Sequence, residues 1–182
     1  MSKKIRIGVV FGGRSTEHQV SLVSATSVIQ ALDPQKYDIV PIGISPQGKW
    51  LVGEQSLQLL KEGKPADHLT AFLPADPTVK ALLKNNDLSS VEKTLDVVFP
   101  VLHGSYGEDG TVQGLFELAD LPYVGASVLG SAVAMDKIVQ KLVTQQAGLP
   151  TVPYLWFKSV DWHEKAQDES PTVTHQLANL TQ

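Results

Sequence analysis

The chain contains no cysteine. Disulfides, thiol nucleophiles and zinc–thiolate centres are therefore excluded within it. It also lacks an excess of positive charge. A formal net charge of −4 over 182 residues argues against a nucleic-acid-binding surface, while leaving room for a local basic site for nucleotide phosphates. No apolar run approaches the roughly 20 residues of a membrane span. The opening residues Met1-Ser2-Lys3-Lys4-Ile5 lack the apolar stretch of a secretion signal and lead directly into strand-like sequence. A cytoplasmic protein, with neither nucleic acid nor membrane as partner, is the expectation. Hydrophobic content of 42% and charged content of 19% describe a globular chain able to bury a substantial core, one domain or one and a part in length.

Ile5 to Phe11 is a nearly continuous apolar run followed by Gly12-Gly13, the pattern of a buried parallel strand. Residues from about Thr16 to Leu32 read as a helix with Val20, Val23, Ser24, Ser27, Val28 and Ala31 on its inner face, ended by Asp33-Pro34. Tyr37 to Ile44 is a second strand, and Lys49 to Val52 returns after the turn Ser45-Pro46-Gln47-Gly48. Residues 54–93, with Pro65, Pro74, Pro77 and an Asn-Asn-Asp run, read as a peripheral insertion holding short helical pieces. Asp96 to Leu102 is another buried strand, Thr111 to Ala119 a helix, and Pro122 to Gly125 a short strand with a turn. Asp136 to Ala147 is a helix with Ile138, Val139, Leu142 and Val143 on one face and Gly148 at its C-terminal stop. This order predicts a doubly wound α/β domain, three layers around a parallel central sheet. After the stiff Pro150-Thr151-Val152-Pro153, Tyr154 to Phe157 and a helix capped by Ser170-Pro171, with Val173, Leu177 and Leu180 on one face, predict a second domain begun and not finished by Gln182.

Two motifs carry the chemistry. Phe11-Gly12-Gly13 to Glu17-His18 follows the first strand, and His103-Gly104 to Gly107-Glu108-Asp109-Gly110 follows a later one. Both set glycines, carboxylates and an imidazole beyond strand ends, where open α/β sheets bind ligands. The first is neither a Walker A loop nor a dinucleotide fingerprint. Glu17 in the first turn of a helix has two readings: a charge favoured by the helix dipole, or an ionised carboxylate binding a small ammonium group. His103 is either a packed histidine or, given Gly104 beside it, part of a site. Glu108 and Asp109 are read as fixing the loop and capping the next helix rather than as metal ligands. Lys137 opens a helix whose dipole disfavours its charge, which makes sense where a phosphate shares that end.

Together these residues resemble the N-terminal part of the D-alanine–D-alanine ligases, ATP-grasp enzymes of peptidoglycan precursor synthesis. The resemblance is carried by Val10-Phe11-Gly12-Gly13 to Ser21, by Phe99-Pro100-Val101-Leu102-His103-Gly104 to Gln113-Gly114, and by Leu121 to Gly125. Ser131-Ala132, Met135-Asp136-Lys137 and Ala147 to Pro150 continue it. One departure is Gln19, where the family usually has glutamate.

The resemblance implies a pre-ATP-grasp, Rossmann-like substrate-binding domain over 1–125 and a helical connector over 126–150. Over 151–182 it implies the truncated start of an ATP-grasp domain. It implies ATP-dependent joining of two D-alanines through an acyl phosphate, with ATP and Mg²⁺ as cofactors and a homodimer as the assembly. Glu17 would hold the ammonium of the first D-alanine, Val20 would pack beside its methyl, and Ser21 would belong to the network orienting Glu17. His103 would sit near substrate and acyl phosphate, with Gly104 leaving room, and Lys137 would contact ATP phosphates. Glu17, Ser21 and His103 are thus the expected catalytic set, and Mg²⁺ ligands are expected outside the chain. A fragment of such a ligase is expected to be inactive alone. A non-catalytic ligand-binding or subunit-contact domain, and a ligase taking D-lactate or D-serine as second substrate, are the competing readings.

Overall fold

A computed structural model describes residues 3–64, 67–84 and 87–156. The expected helix from Ser170-Pro171, with Val173, Leu177 and Leu180, and the Phe157 end of the expected strand lie outside the described residues.

The apolar runs form the strands that hydrophobic patterning predicts. β1 (Ile5–Gly12), β2 (Tyr37–Ile44) and, after the intervening elements, β7 (Val97–Leu102) pair in parallel, with β1 between the other two. The remaining strands alternate in direction. β3 (Trp50–Val52), β4 (Thr70–Phe72), β5 (Ala81–Lys84) and β6 (Asp87–Thr94) add antiparallel, one after another, to the free side of β2. The full order is β6-β5-β4-β3-β2-β1-β7. The α/β class with a parallel centre is as expected, but the segment 54–93 adds strands to the sheet besides its short helical pieces. The helical pieces among the described residues there are α2 (Ser56–Glu62) and a 3₁₀ turn, Asp67–Leu69. Strands of three or four residues are too short to show an alternation, and neighbour pairing rather than local pattern creates them. The expected strand at Pro122–Gly125 is a single bridge, Tyr123 to Val98.

Successive residues of β1 face opposite ways, and each face is covered. Val9 and Phe11 pack with Leu22 and Ala25 of α1 (His18–Ala31), Leu60 of α2 and Val101 of β7. Val10 packs with Ile42, Val98 and Leu102 against Val112, Phe116 and Ala119 on the α3 side (α3 is Thr111–Leu118). Phe11 and Phe116 are fully buried. Three layers result, and α1 and α3 begin at the same end of the sheet, after β1 and β7.

The inner face of α1 differs from expectation. Ser21, Leu22 and Ala25 point inward, whereas Val20 and Val23 are exposed. This helix is apolar on several sides, so periodicity alone does not fix its rotation. Ser21 does. Its hydroxyl accepts from the Gly12 N–H at 2.7 Å and donates to the Val101 carbonyl, fastening the helix to two strands at once.

Two compact units are present, Met1–Met135 and Asp136–Gln182. The first ends with α4 (Val128–Met135). The second opens with α5 (Lys137–Gln146), bounded as the sequence predicts by the Asp136 N-cap and by Gly148 at φ +74°.

Candidate functional site

The site is built where β1 and β7 end. Gly12 and Gly13, both with positive φ, turn the chain out of β1, and the Gly13 N–H donates to the Ile44 carbonyl at 2.8 Å. His18 is buried and donates through Nδ1 to the Gly13 carbonyl at 2.9 Å. The imidazole of the first motif therefore holds the turn.

Glu17 is the N-cap residue of α1, yet its carboxylate makes no capping hydrogen bond. It reaches across to the second motif. A Cβ placed on Gly104 would stand 2.5 Å from Glu17 Oε2, so the carboxylate rests against the bare Cα of that glycine. This placement is not what the helix-dipole reading alone requires, because a dipole-satisfied carboxylate would turn to the helix N–H groups. Gly104 is at φ +70°, a second reason for glycine there. Glu17 and His103-Gly104 thus lie side by side.

His103 is fastened at both ends. Ser15 Oγ donates to its carbonyl at 2.7 Å and accepts the Glu17 N–H at 3.1 Å. Its Nε2 lies 3.1 Å from Ser24 Oγ. The loop after it is self-supporting, as the capping reading predicts. Glu108 Oε2 accepts the Gly104 N–H at 2.7 Å. Asp109 accepts from the Tyr106 N–H and from both the N–H and hydroxyl of Thr111. Partial burial opposes ionisation of Asp109, but the hydrogen bonds from Thr111 and Tyr106 outweigh it and hold the carboxyl below its ordinary range. The buried Gln113 donates to the Gly107 carbonyl at 2.8 Å.

Ser21 stands differently from the rest of the expected set. It is fully buried, and both hydroxyl bonds go to strand backbone rather than to Glu17. It sets where α1, and hence Glu17, sits, without reaching a substrate itself. Ser21→Ala is expected to cost about 1–3 kcal/mol of stability, the penalty for stranding buried backbone groups. A thermal melt indistinguishable from wild type would remove this anchoring role. Val20, by contrast, is exposed beside Glu17 in sequence.

Sequence patterns missed several residues. A cavity of about 320 Å³ adjoins His103, floored by Trp50, Leu102, Val112 and Leu115. Glu17 is not in its wall. Arg14 lies over the Tyr106 ring, 4.8 Å from its centroid, at the cavity's edge. Ser15 and Ser24 also escaped notice as site residues. The available signal for Ser24 is its spacing: Glu17, Ser21 and Ser24 recur at i, i+4 and i+7 on one helix face.

Lys137 belongs to the second unit and is exposed. Asp136 Oδ1 accepts the N–H groups of Ile138 and Val139, each at 3.0 Å. The first N–H groups of this helix are thus already engaged by Asp136. Among the described residues, no group of three or more His, Asp or Glu side chains is arranged to hold a metal ion. No helix among them is long and apolar enough to cross a membrane.

The family model described as "D-ala D-ala ligase N-terminus" matches residues 6–126. The D-alanine–D-alanine ligase of Natranaerobius thermophilus is 43% identical over 97% of this chain and 48% of its own length. Among solved structures, the VanG D-Ala:D-Ser ligase of Enterococcus faecalis superposes with a TM-score of 0.75 at 35% identity, covering 91% of this chain and 48% of that one. The D-alanine–D-alanine ligase of Coxiella burnetii superposes with a TM-score of 0.69 at 34% identity, over 92% and 51%. The chain spans about half the length of the curated relatives it matches.

Proposed function

The chain belongs to the D-alanine–D-alanine ligase family, and on that premise we propose that the complete protein joins two D-alanine molecules at the expense of ATP, in the cytoplasm, for peptidoglycan precursor synthesis. The observation that carries the reading is the Glu17 carboxylate resting on Gly104, the residue after His103. A carboxylate against the His103-Gly104 turn, at the carboxyl ends of parallel strands, suits the ammonium of a zwitterion. Glu17 binds the ammonium of the first D-alanine, and Val20 offers an apolar contact for its methyl. His103, a donor when protonated, faces the substrate carboxylate. That carboxylate takes the γ-phosphoryl group of ATP, and the amine of the second D-alanine displaces phosphate from the acyl phosphate. The task of the site is to place anionic groups together and to keep water from the intermediate.

Residues 1–125 form the substrate-binding domain, 126–150 the connector, and 151–182 the start of the ATP-grasp domain in this reading. Lys137 contacts ATP phosphates. Mg²⁺ would neutralise the charge in transfer when bound, with its ligands expected from the rest of the complete protein. The active assembly is a homodimer.

A ligase that takes D-serine as second substrate is the alternative, favoured by the likeness to VanG. The complete protein is supplied with ATP, Mg²⁺ and D-alanine, with or without D-serine or D-lactate, and products are identified by mass. D-Alanyl-D-alanine with stoichiometric phosphate release is expected. A mixed product formed in preference would move the assignment to the alternative. Binding of D-alanine without phosphate release would leave only a ligand-binding role.

A further inference from the structure

We propose that Ser24 is a positioning residue for His103: its hydroxyl engages Nε2 and so reserves Nδ1 as the ring nitrogen presented to the substrate. This role rests on the ligase reading above.

The argument starts from what holds the ring. The His103 backbone is fixed by Ser15 Oγ at 2.7 Å. That bond leaves both side-chain torsions of His103 undetermined, and the ring is only partly buried. Its hydrogen bond among the described residues is the one to Ser24 Oγ at 3.1 Å. Ser24 comes from α1, 79 positions away in sequence, and α1 is itself pinned to β1 and β7 through Ser21. The ring is thus referenced to the helix that carries Glu17. One helix carries both the carboxylate read as the ammonium site and the hydroxyl that holds the His103 ring.

The chemistry of a hydroxyl suits this task. It donates to Nε2 when the ring is neutral and accepts from Nε2–H when the ring is charged, by rotation alone. Either way Nε2 is occupied and Nδ1 is the ring nitrogen left for the substrate, where it donates to an anionic oxygen when it carries a proton. Without Ser24 the ring is free to swing, and Nδ1 faces the substrate for only part of the time. Alanine removes this control. Threonine keeps it.

The test is a double-mutant cycle in the complete protein. Ser24→Ala is expected to lower kcat/KM for D-alanine about tenfold, the worth of one hydrogen bond, with KM for ATP unchanged. Ser24→Thr is expected to stay near wild type. In a His103→Ala background, Ser24→Ala is expected to add no further loss. Nitrogen-resolved NMR of the His103 ring is expected to show a changed Nε2 resonance in Ser24→Ala and not in Ser24→Thr. Equal losses from Ser24→Ala in both backgrounds, with an undisturbed ring spectrum, would overturn the proposal and leave the ligase reading intact. Absence of ligation by the wild-type protein would overturn the ligase reading and this role with it.

Discussion

Glu17→Gln is expected to raise KM for the first D-alanine by roughly 10- to 150-fold while leaving KM for ATP unchanged. The substitution keeps the size of the side chain and its acceptor oxygen and removes only the charge. A hydrogen bond to a charged partner is worth about 1.5–3 kcal/mol, which converts to that range at about 1.4 kcal/mol per decade. The carboxylate does not cap its own helix, so its removal has little folding energy to take away. The competing helix-dipole role predicts the reverse pattern. It gives at most about 1 kcal/mol of lost stability and ordinary kinetics. Steady-state kinetics and thermal melts on the same preparation separate the two. A lowered melting temperature with unchanged KM for D-alanine would take Glu17 out of the site.

Gly12→Ala is expected to be the most destabilising single methyl in the described chain, costing on the order of 3–5 kcal/mol. Two penalties add. A left-handed conformation costs a residue with a Cβ roughly 1–2 kcal/mol, and Gly12 is at φ +89°. The new Cβ would also stand 2.3 Å from the Ile44 carbonyl oxygen. That atom is backbone and cannot rotate aside. It also accepts the Gly13 N–H, so moving it breaks the turn, and each stranded backbone group adds about 1–3 kcal/mol. Gly114→Ala is the control. Gly114 lies within α3, and nothing would meet its Cβ within 4 Å. Alanine there is expected to be neutral or stabilising by up to about 1 kcal/mol. Equal melting temperatures for the two variants would show that the β1–β2 junction tolerates what its geometry forbids.

The sequence disclosed this fold unevenly, for physical reasons. β2 runs Tyr37–Ile44 as patterning predicts, because a buried parallel strand needs an unbroken apolar, β-branched run. α5 is legible from its ends, where Asp136 accepts two helix N–H groups and Gly148 takes a positive φ. β4 and β5 are not, since they exist through pairing with neighbours and carry too few residues for a period. The rotation of α1 was hidden because the inward position is chosen by a serine, which patterning counts as polar. Within the site, the nearness of Glu17 to His103-Gly104 follows from both motifs lying beyond neighbouring parallel strands. The Ser24–His103 and Arg14–Tyr106 contacts join side chains from separate elements and leave no local trace.

The lopsided sheet also suits the chain to thiol labelling. The loops that build the site follow β1 and β7, whereas the β4–β5 connection emerges from strands on the far flank. At about 4.8 Å per strand, β4 stands roughly 14 Å from β1. Ala75 in that connection is exposed, and these 182 residues hold no native thiol to compete. A single cysteine introduced there would carry a fluorophore three strand spacings to the side of β1, with no other thiol in these residues to compete for it.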